Sequence, residues 1–390
     1  MKIAIVFDGL GFGGIERVGI NYIKIMHQLG HEVDVYNITP SAKVMLKELP
    51  DECKVINHYF PHKLCPELYS YGIKKWWWGK YAYPMIYSGL SILLEIRKVL
   101  KKHRNKNYDL AIAFSGHFND LTFVASGFVK AKKKMCWLHG SLAEYLLIAH
   151  GYGTLYNKIK NLNTLSDWMQ GAAISGNKFL SSININKIYN PVFMNDKKVD
   201  SNFVDELKTK YGEFFLMVGR FTKQKDQITV IRAMKILKDK YHINNKMIFV
   251  GDGIERTKAE DLVLDLGMEE EIVFMGSRDD VHNFYAAAKL FIHSSPAEGL
   301  PTVLLEAMSF GLPIVATNSL PGVQEILCQD EYGLICPVGN KEDMAEAIYR
   351  LVADEQLYKH YVKQGYKRIK DFQPEMITKQ FQEIYESSLF

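Results

Sequence analysis

Nowhere in the 390 residues does a D-x-D triplet occur, so no ready pair of carboxylates is available to hold a bridging divalent cation. The five cysteines (Cys53, Cys65, Cys136, Cys328 and Cys336) are odd in number and form no C-x-x-C pair, which argues against a disulfide framework or a structural zinc site. They are expected to be reduced packing residues. No stretch of about 18 uncharged apolar residues is present, and the apolar run before Asp8 is too short for a signal h-region. The expectation is a cytoplasmic chain without a membrane span. Low-complexity tracts and short repeats are missing too, which leaves ordinary globular domains.

What is present is 47% hydrophobic and 24% charged residues, over a length sufficient for two domains of roughly 150–200 residues each. Charge is unevenly divided: residues 1–190 carry a net +11 and residues 191–390 a net −7. A basic first half suits an anionic partner such as a membrane surface, a nucleic acid or a phosphorylated acceptor. Its opening reads strand, glycine loop, helix, strand: KIAIVF (2–7), DGLGFGG (8–14), IERVGINYIKIMHQL (15–29), a stop at Gly30, then HEVDVYNI (31–38). Parallel strands need a crossover helix, so this is a βαβ unit. Apolar, β-rich runs at 54–60, 109–116, 133–140, 171–176 and 186–192 extend it to one doubly wound domain.

After NPVFMNDKKVDSN the pattern restarts, with short buried-type strands at 214–221, 246–253, 271–278, 289–295, 312–317 and 333–338, then helices at 341–353, 355–371 and 374–388. The expected fold class is α/β: two Rossmann-like doubly wound domains facing each other across a cleft. The expected division is an N-terminal domain 1–190, a linker 191–203, a C-terminal domain 204–372 and a final helix 373–390 packing back toward the first domain.

Chemistry concentrates in SSPAEGLPTVLLEAMSFGLPIVAT (294–317). A strand ends at Ser294, Glu298-Gly299-Leu300 make a tight loop, Pro301 suits a first helical residue, and Thr302–Phe310 form a short helix stopped by Gly311. The unpaired N–H groups at that helix start, with the positive end of its dipole, make a site for a phosphate or diphosphate. Glu298 and Glu306 border it, and carboxylates there suit sugar or ribose hydroxyls.

This segment resembles the E-x7-E signature of the family-4 retaining glycosyltransferases, which have the GT-B fold. The resemblance runs along the whole chain: GGIERV (13–18), LHG (138–140), NPV (190–192), GRFTKQKD (219–226), VGDG (250–253) and FMGS (274–277). It implies a nucleotide-sugar donor, with a uridine diphosphate sugar first and guanosine diphosphate mannose second. Arg220 and Lys225 then hold the donor diphosphate, Glu306 the ribose, and Glu298 faces the donor sugar. Gly219, Gly251, Gly253, Gly276, Gly299, Leu300, Pro301 and Thr302 complete the donor site. Gly13 and Gly14 allow close approach from the first domain, and His139 reaches the transferred sugar. No metal or other cofactor is expected, since helix amides and the two cations do the metal's work.

Two other readings share parts of this pattern. Gly9, Gly11 and Gly14 fit the dinucleotide fingerprint G-x-G-x-x-G, but the second strand offers Asn37 where a dehydrogenase needs an acidic residue. A nucleotide-sugar epimerase would share the donor site and need no acceptor.

The acceptor side is expected in the N-terminal domain, where KKWWWGKY (74–81) sets Trp76, Trp77 and Trp78 between Lys74, Lys75 and Lys80. Three adjacent indoles cannot all be hidden at either period, and indoles with lysines favour an anionic headgroup layer. An aromatic platform for sugars or a partner surface is the alternative. Together with the resemblance, this patch suggests a polyprenyl-linked saccharide acceptor in bacterial surface-polysaccharide assembly, taken up at the inner face of the cell membrane. Nucleic acid is not an expected partner, because it would leave the donor site without purpose.

Overall fold

Strand β1 (Lys2–Phe7) is apolar along its whole length after Lys2 and buried on both faces, as a central parallel strand must be. Helix α1 (Gly14–Gln28) covers it through Val18, Tyr22, Ile25 and Met26, and the chain turns at Gly30 into β2 (Glu32–Asn37). The sheet continues through β3 (Lys54–Asn57), β4 (Asn107–Ala113), β5 (Lys130–Trp137), β6 (Asn161–Thr164) and β7 (Asn184–Lys187). All seven strands are parallel, in the order β3-β2-β1-β4-β5-β6-β7. Helices α2 (Gly79–Leu100), α3 (Phe118–Ala125) and α4 (Gly151–Ile159) complete the described elements of this layer structure.

This computed structural model describes residues 1–11, 13–100, 106–140, 142, 145–146, 149–167, 182–192 and 198–386. The strand expected at 171–176, residues 193–197 of the linker 191–203 and the side chain of Lys74 lie outside the described residues. The chain divides into two compact units, Met1–Pro191 with Thr378–Phe390, and Val192–Ile377.

The second unit opens with α5 (Ser201–Tyr211), capped by Asp200, and alternates β8 (Phe214–Val218), α6 (Gln227–Tyr241), β9 (Lys246–Val250), α7 (Arg256–Leu266), β10 (Ile272–Phe274) and α8 (Val281–Ala287). It continues with β11 (Leu290–His293), β12 (Ala297–Glu298), α9 (Thr302–Ser309), β13 (Ile314–Thr317), β14 (Leu320–Pro321), α10 (Gly322–Leu327) and β15 (Leu334–Cys336). Six of these strands form a parallel sheet, β10-β9-β8-β11-β13-β15, and β12 pairs with β14 separately. Helices α11 (Lys341–Ala353) and α12 (Glu355–Arg368) follow, and α13 (Pro374–Phe381) begins in this unit and runs into the Thr378–Phe390 segment that belongs to the first. In each sheet the strand order reverses once, between β1 and β4 and between β8 and β11. Ligands of open α/β sheets bind beyond the carboxyl ends of the strands at such points.

Strand β6 was not among the expected strands, and its sequence shows why. NLNT alternates with asparagines that pair sideways, Asn161 to the Lys134 carbonyl and Asn163 to the Ile188 carbonyl, so it carries little hydrophobic signal. Strand β7 begins before the expected 186–192 and ends at Lys187. The cysteines are free, as expected.

Candidate functional site

Beyond β8 the chain runs Gly219-Arg220-Phe221, and beyond β9 it runs Gly251-Asp252-Gly253; the two loops lie backbone against backbone. Phe221 N–H donates to the Asp252 carbonyl at 2.9 Å, and Gly251 N–H to the Gly276 carbonyl at 2.8 Å. Gly251 and Gly253 sit at φ +146° and +156°, and a Cβ on either would meet the carbonyl oxygen of Gly219 or Phe221 at 2.0 and 2.3 Å. Only glycine fits both demands. Gly219, Gly251, Gly253 and Gly276 are thereby brought together, and close backbone packing accounts for Gly251 and Gly253. Gly251→Ala should destabilise this unit by about 3 kcal/mol through strain and overlap. All five tryptophans lie before Pro191, so the loss should appear as an earlier urea transition in circular dichroism, with the tryptophan fluorescence transition less affected.

Arg220 is exposed, and among the described residues its guanidinium enters no ion pair. Lys225 lies beside it on the same loop, with Gly219 against its aliphatic stem. Its ammonium pairs with the Glu298 carboxylate, and His293 Nε2 stands 3.5 Å from the same oxygen. Burial alone would raise the Glu298 carboxyl, but the His293 imidazole and the Lys225 ammonium outweigh it and hold the group at about 2. His293 is fully buried at the end of β11, and burial pushes it below the usual histidine range, so it stays neutral. Among the described residues its ring nitrogens have no partner nearer than the Glu298 oxygen at 3.5 Å. Ser294 follows it and donates to the carbonyls of Lys225 and Asp226 at 2.9 and 2.8 Å, pinning the cationic loop to the sheet. Sequence reading missed His293 and Ser294 as site residues. Their signal was the polar HSS run closing an otherwise apolar strand.

Helix α9 starts at Thr302, with Pro301 as its N-cap rather than its first residue, and no side chain caps it. Its first N–H groups are left for a ligand or water. Leu300 is buried, so it can offer a ligand its backbone only. Gly299 lies where its carbonyl would meet a Cβ on Gly322 at 2.4 Å, which locks the loop against α10. Glu306 accepts a hydrogen bond from the buried Tyr285 hydroxyl at 2.9 Å, which orients its carboxylate one turn into the helix. One unit thus gathers Arg220, Lys225, Glu298, the start of α9 and Glu306 at the carboxyl ends of β8 and β11.

The remaining expected residues belong to the first unit. Gly13 is the extended N-cap of α1, and nothing lies within 4 Å of a Cβ placed on Gly14. His139, two residues beyond β5, donates Nε2–H to the Phe114 carbonyl at 2.8 Å and leans on the Phe114 ring. Although part of its ring reaches the surface, the surrounding protein pushes its pKa to about 4. A neutral imidazole with Nε2–H engaged presents Nδ1 as an acceptor for a hydroxyl.

The cluster Trp76–Trp78 lies between a single helical turn at Gly72–Lys75 and the start of α2. All three indoles are exposed, Trp77 most of all at 84%, while Trp76 and Trp78 stack on each other at 5.1 Å. Lys75 stands 5.5 Å from the Trp76 ring and Lys80 4.9 Å from Tyr81. Along α2 the exposed side chains include Tyr81, Met85, Ile92, Ile96 and Val99, a single apolar face turned away from the protein. No helix among the described residues is long and apolar enough to cross a membrane, nor do three or more metal-ligating His, Cys, Asp or Glu side chains gather anywhere among them.

Two parallel α/β units with a phosphate-type helix start at the switch point of the second define a GT-B architecture. The chain matches the family model of glycosyl transferases group 1 over residues 199–368. It is 24% identical over 385 residues, 95% of each chain, to the N-acetylgalactosamine-N,N'-diacetylbacillosaminyl-diphospho-undecaprenol 4-alpha-N-acetylgalactosaminyltransferase of Campylobacter jejuni. It is 28% identical over 286 residues to an uncharacterized glycosyltransferase of Methanocaldococcus jannaschii, covering 64% of this chain and 68% of that one. Among solved structures, Anabaena HepE in complex with UDP superposes with a TM-score of 0.73 at 21% identity, covering 99% of this chain and 100% of that one. The dehydrogenase alternative falls away: Asn37 is buried and tied to the Ala42 carbonyl, and Asp34 is taken by Lys106 and Tyr108.

Proposed function

We propose that the chain moves a sugar from a uridine diphosphate sugar to a polyprenyl-diphosphate-linked saccharide, with retention at the anomeric carbon and without a metal. The observation that carries this reading is the pairing of two cations, Arg220 and Lys225, with the uncapped start of α9 and the carboxylate of Glu306. Cations and helix amides suit a diphosphate, and Glu306 suits a ribose diol. HepE has been solved with UDP and with UDP-glucose, which supports a uridine donor. The name of the Campylobacter relative includes an undecaprenol-linked diphosphate acceptor, and the exposed apolar face of α2 with its flanking lysines suits the membrane where such an acceptor resides.

In this mechanism the bond between the anomeric carbon and the diphosphate oxygen breaks first, building positive charge on the sugar ring and negative charge on the leaving oxygen. Arg220, Lys225 and the α9 amides stabilise the leaving group. The acceptor hydroxyl attacks from the face the diphosphate leaves, and its proton passes to the departing phosphate oxygen. No protein side chain needs to act as nucleophile.

The test is a panel of nucleotides and nucleotide sugars scored by thermal shift, then by acceptor-dependent release of nucleoside diphosphate. UDP at 100 times its dissociation constant should stabilise the protein by about 2.7 kcal/mol. EDTA should leave turnover unchanged. A response to guanosine nucleotides alone, loss of activity in EDTA restored by magnesium or manganese, or diphosphate release independent of acceptor would each overturn the corresponding part.

A further inference from the structure

The first sheet has its own switch point, between β1 and β4, and nothing above assigns a role to the residues there. Asp8 follows β1 directly, with its N–H bonded to Ser115 Oγ at 2.9 Å beyond β4. His117 Nδ1 lies 3.2 Å from Asp8 Oδ2, and Asn119 Nδ2 donates to Asp8 Oδ1 at 2.7 Å. Asn119 is itself held through its Oδ1 by His62 Nδ1 at 2.7 Å and by the Cys65 thiol at 3.3 Å. The Asp8 carboxylate is thus oriented by one layer of partners, which a second layer orients in turn.

His117 is the N-cap of α3 and forms a capping box with Asp120, which accounts for part of this arrangement but not for the bonds made to Asp8. The start of α3 is already capped by the fully buried Asp120, whose carboxylate accepts from Gly116 N–H at 2.8 Å and His117 N–H at 2.7 Å. Asp8 and His117 remain partly open, with side chains 29% and 46% exposed, and a pair so exposed adds little stability. His117 Nε2 has no partner among the described residues. The Asp8 bond keeps His117 above the usual histidine range, and although burial alone would raise Asp8, its bonds to His117 and Asn119 hold it below the usual carboxylate range.

A carboxylate beside an imidazolium is neutral as a pair, so it does not attract phosphate as the start of α9 does. It offers an acceptor and a donor side by side, which matches two neighbouring hydroxyls of a sugar. The geometry points to Asp8 and His117 as a subsite that binds the hydroxyls of the acceptor's sugar. This rests on the proposed transfer reaction, because the features that suit the donor's diphosphate and ribose lie in the other unit, and beyond Gly13, Gly14 and His139 this unit is left for the second substrate.

The test uses the full chain with UDP present. The probes are methyl α-glycosides of glucose, galactose, mannose, N-acetylglucosamine and N-acetylgalactosamine, titrated by saturation-transfer NMR against wild type, Asp8→Asn and His117→Gln, with UDP affinity measured in parallel by calorimetry. At least one glycoside should bind wild type and bind each variant about tenfold or more weakly, the size expected for losing a charged hydrogen bond. UDP affinity should stay within about twofold. Unchanged glycoside binding in both variants, no glycoside binding to wild type that binds UDP, or a parallel loss of UDP affinity, which would place the pair at the donor sugar, would each overturn the assignment. Glycoside binding that falls as expected in a protein that binds no UDP would keep the subsite and remove the donor reading instead.

Discussion

Alanine at Lys225 or at Arg220 should lower kcat by about 10²–10³, the cost of removing one preorganised group that stabilises charge developing in the transition state. Both act on the same leaving diphosphate, so the double variant should lose less than the product of the single losses. Glu298→Gln should behave differently. Its carboxylate is ionised and pairs with Lys225, so neutralising it removes an anion beside the diphosphate site and frees a cation for it. UDP should then bind as tightly as to wild type or several-fold tighter, and turnover should remain within about tenfold of wild type. Acceptor-dependent release of UDP, followed over a range of donor concentrations, measures all three. If Glu298→Gln abolished turnover while Lys225→Ala retained it, Glu298 would be a nucleophile and the electrostatic account would fail.

Most of the geometry around Arg220, Glu298 and the start of α9 was legible in the sequence because it depends on local rules. A glycine that ends a strand, a proline before a short helix, a carboxylate ahead of it and another one turn into it specify loop and helix start within a few residues of each other. The six strands of the second unit's main sheet fall inside the expected windows and helix α11 matches its expected span, whereas the short pair β12 and β14 was not expected, Glu298 reading as part of a tight loop. What stayed hidden depends on contacts distant in sequence. Lys225 and Glu298 are 73 residues apart, and only the parallel register of β8 beside β11 brings them together. His293 reads as part of an apolar strand, and its burial beside a carboxylate becomes visible only once the sheet is assembled. The pair Asp8 and His117 is more remote still, at a separation of 109 residues, and neither belongs to a short motif. Strand β6 was missed for the opposite reason: its asparagines donate sideways to the carbonyls of Lys134 and Ile188, so a polar sequence sits in a sheet interior.

Replacing Met85, Ile92 and Ile96 together by serine should weaken binding to anionic vesicles by about 100-fold or more. Trp76 and Trp78 already cover part of each other by stacking, which leaves Trp77 as the indole best placed to insert. The larger apolar surface lies along α2, about 33 Å long at 1.5 Å per residue. Its inward side is occupied: Leu94 is buried, and Tyr87 accepts a hydrogen bond from Lys158, which also pairs with the buried Glu67. The outward side should be polar on a surface helix, yet it presents Tyr81, Met85, Ile92, Ile96 and Val99, with Met85 exposed at 79% and Val99 at 70%. A helix of that kind, not apolar enough to cross a bilayer, suits the headgroup layer, lying flat with its apolar face down. Removing three of its apolar side chains forfeits about 1 kcal/mol or more each at partial burial, which sets the expected loss. Lys75 and Lys80 add an electrostatic share of about 1 kcal/mol each, so raising the salt should weaken binding of both proteins alike. Co-sedimentation with vesicles containing phosphatidylglycerol measures the effect, with UDP affinity as the check that the chain is folded. Equal sedimentation of the variant and the wild type would show that α2 faces a protein or a sugar instead, and would detach the acceptor from the membrane in the proposed function.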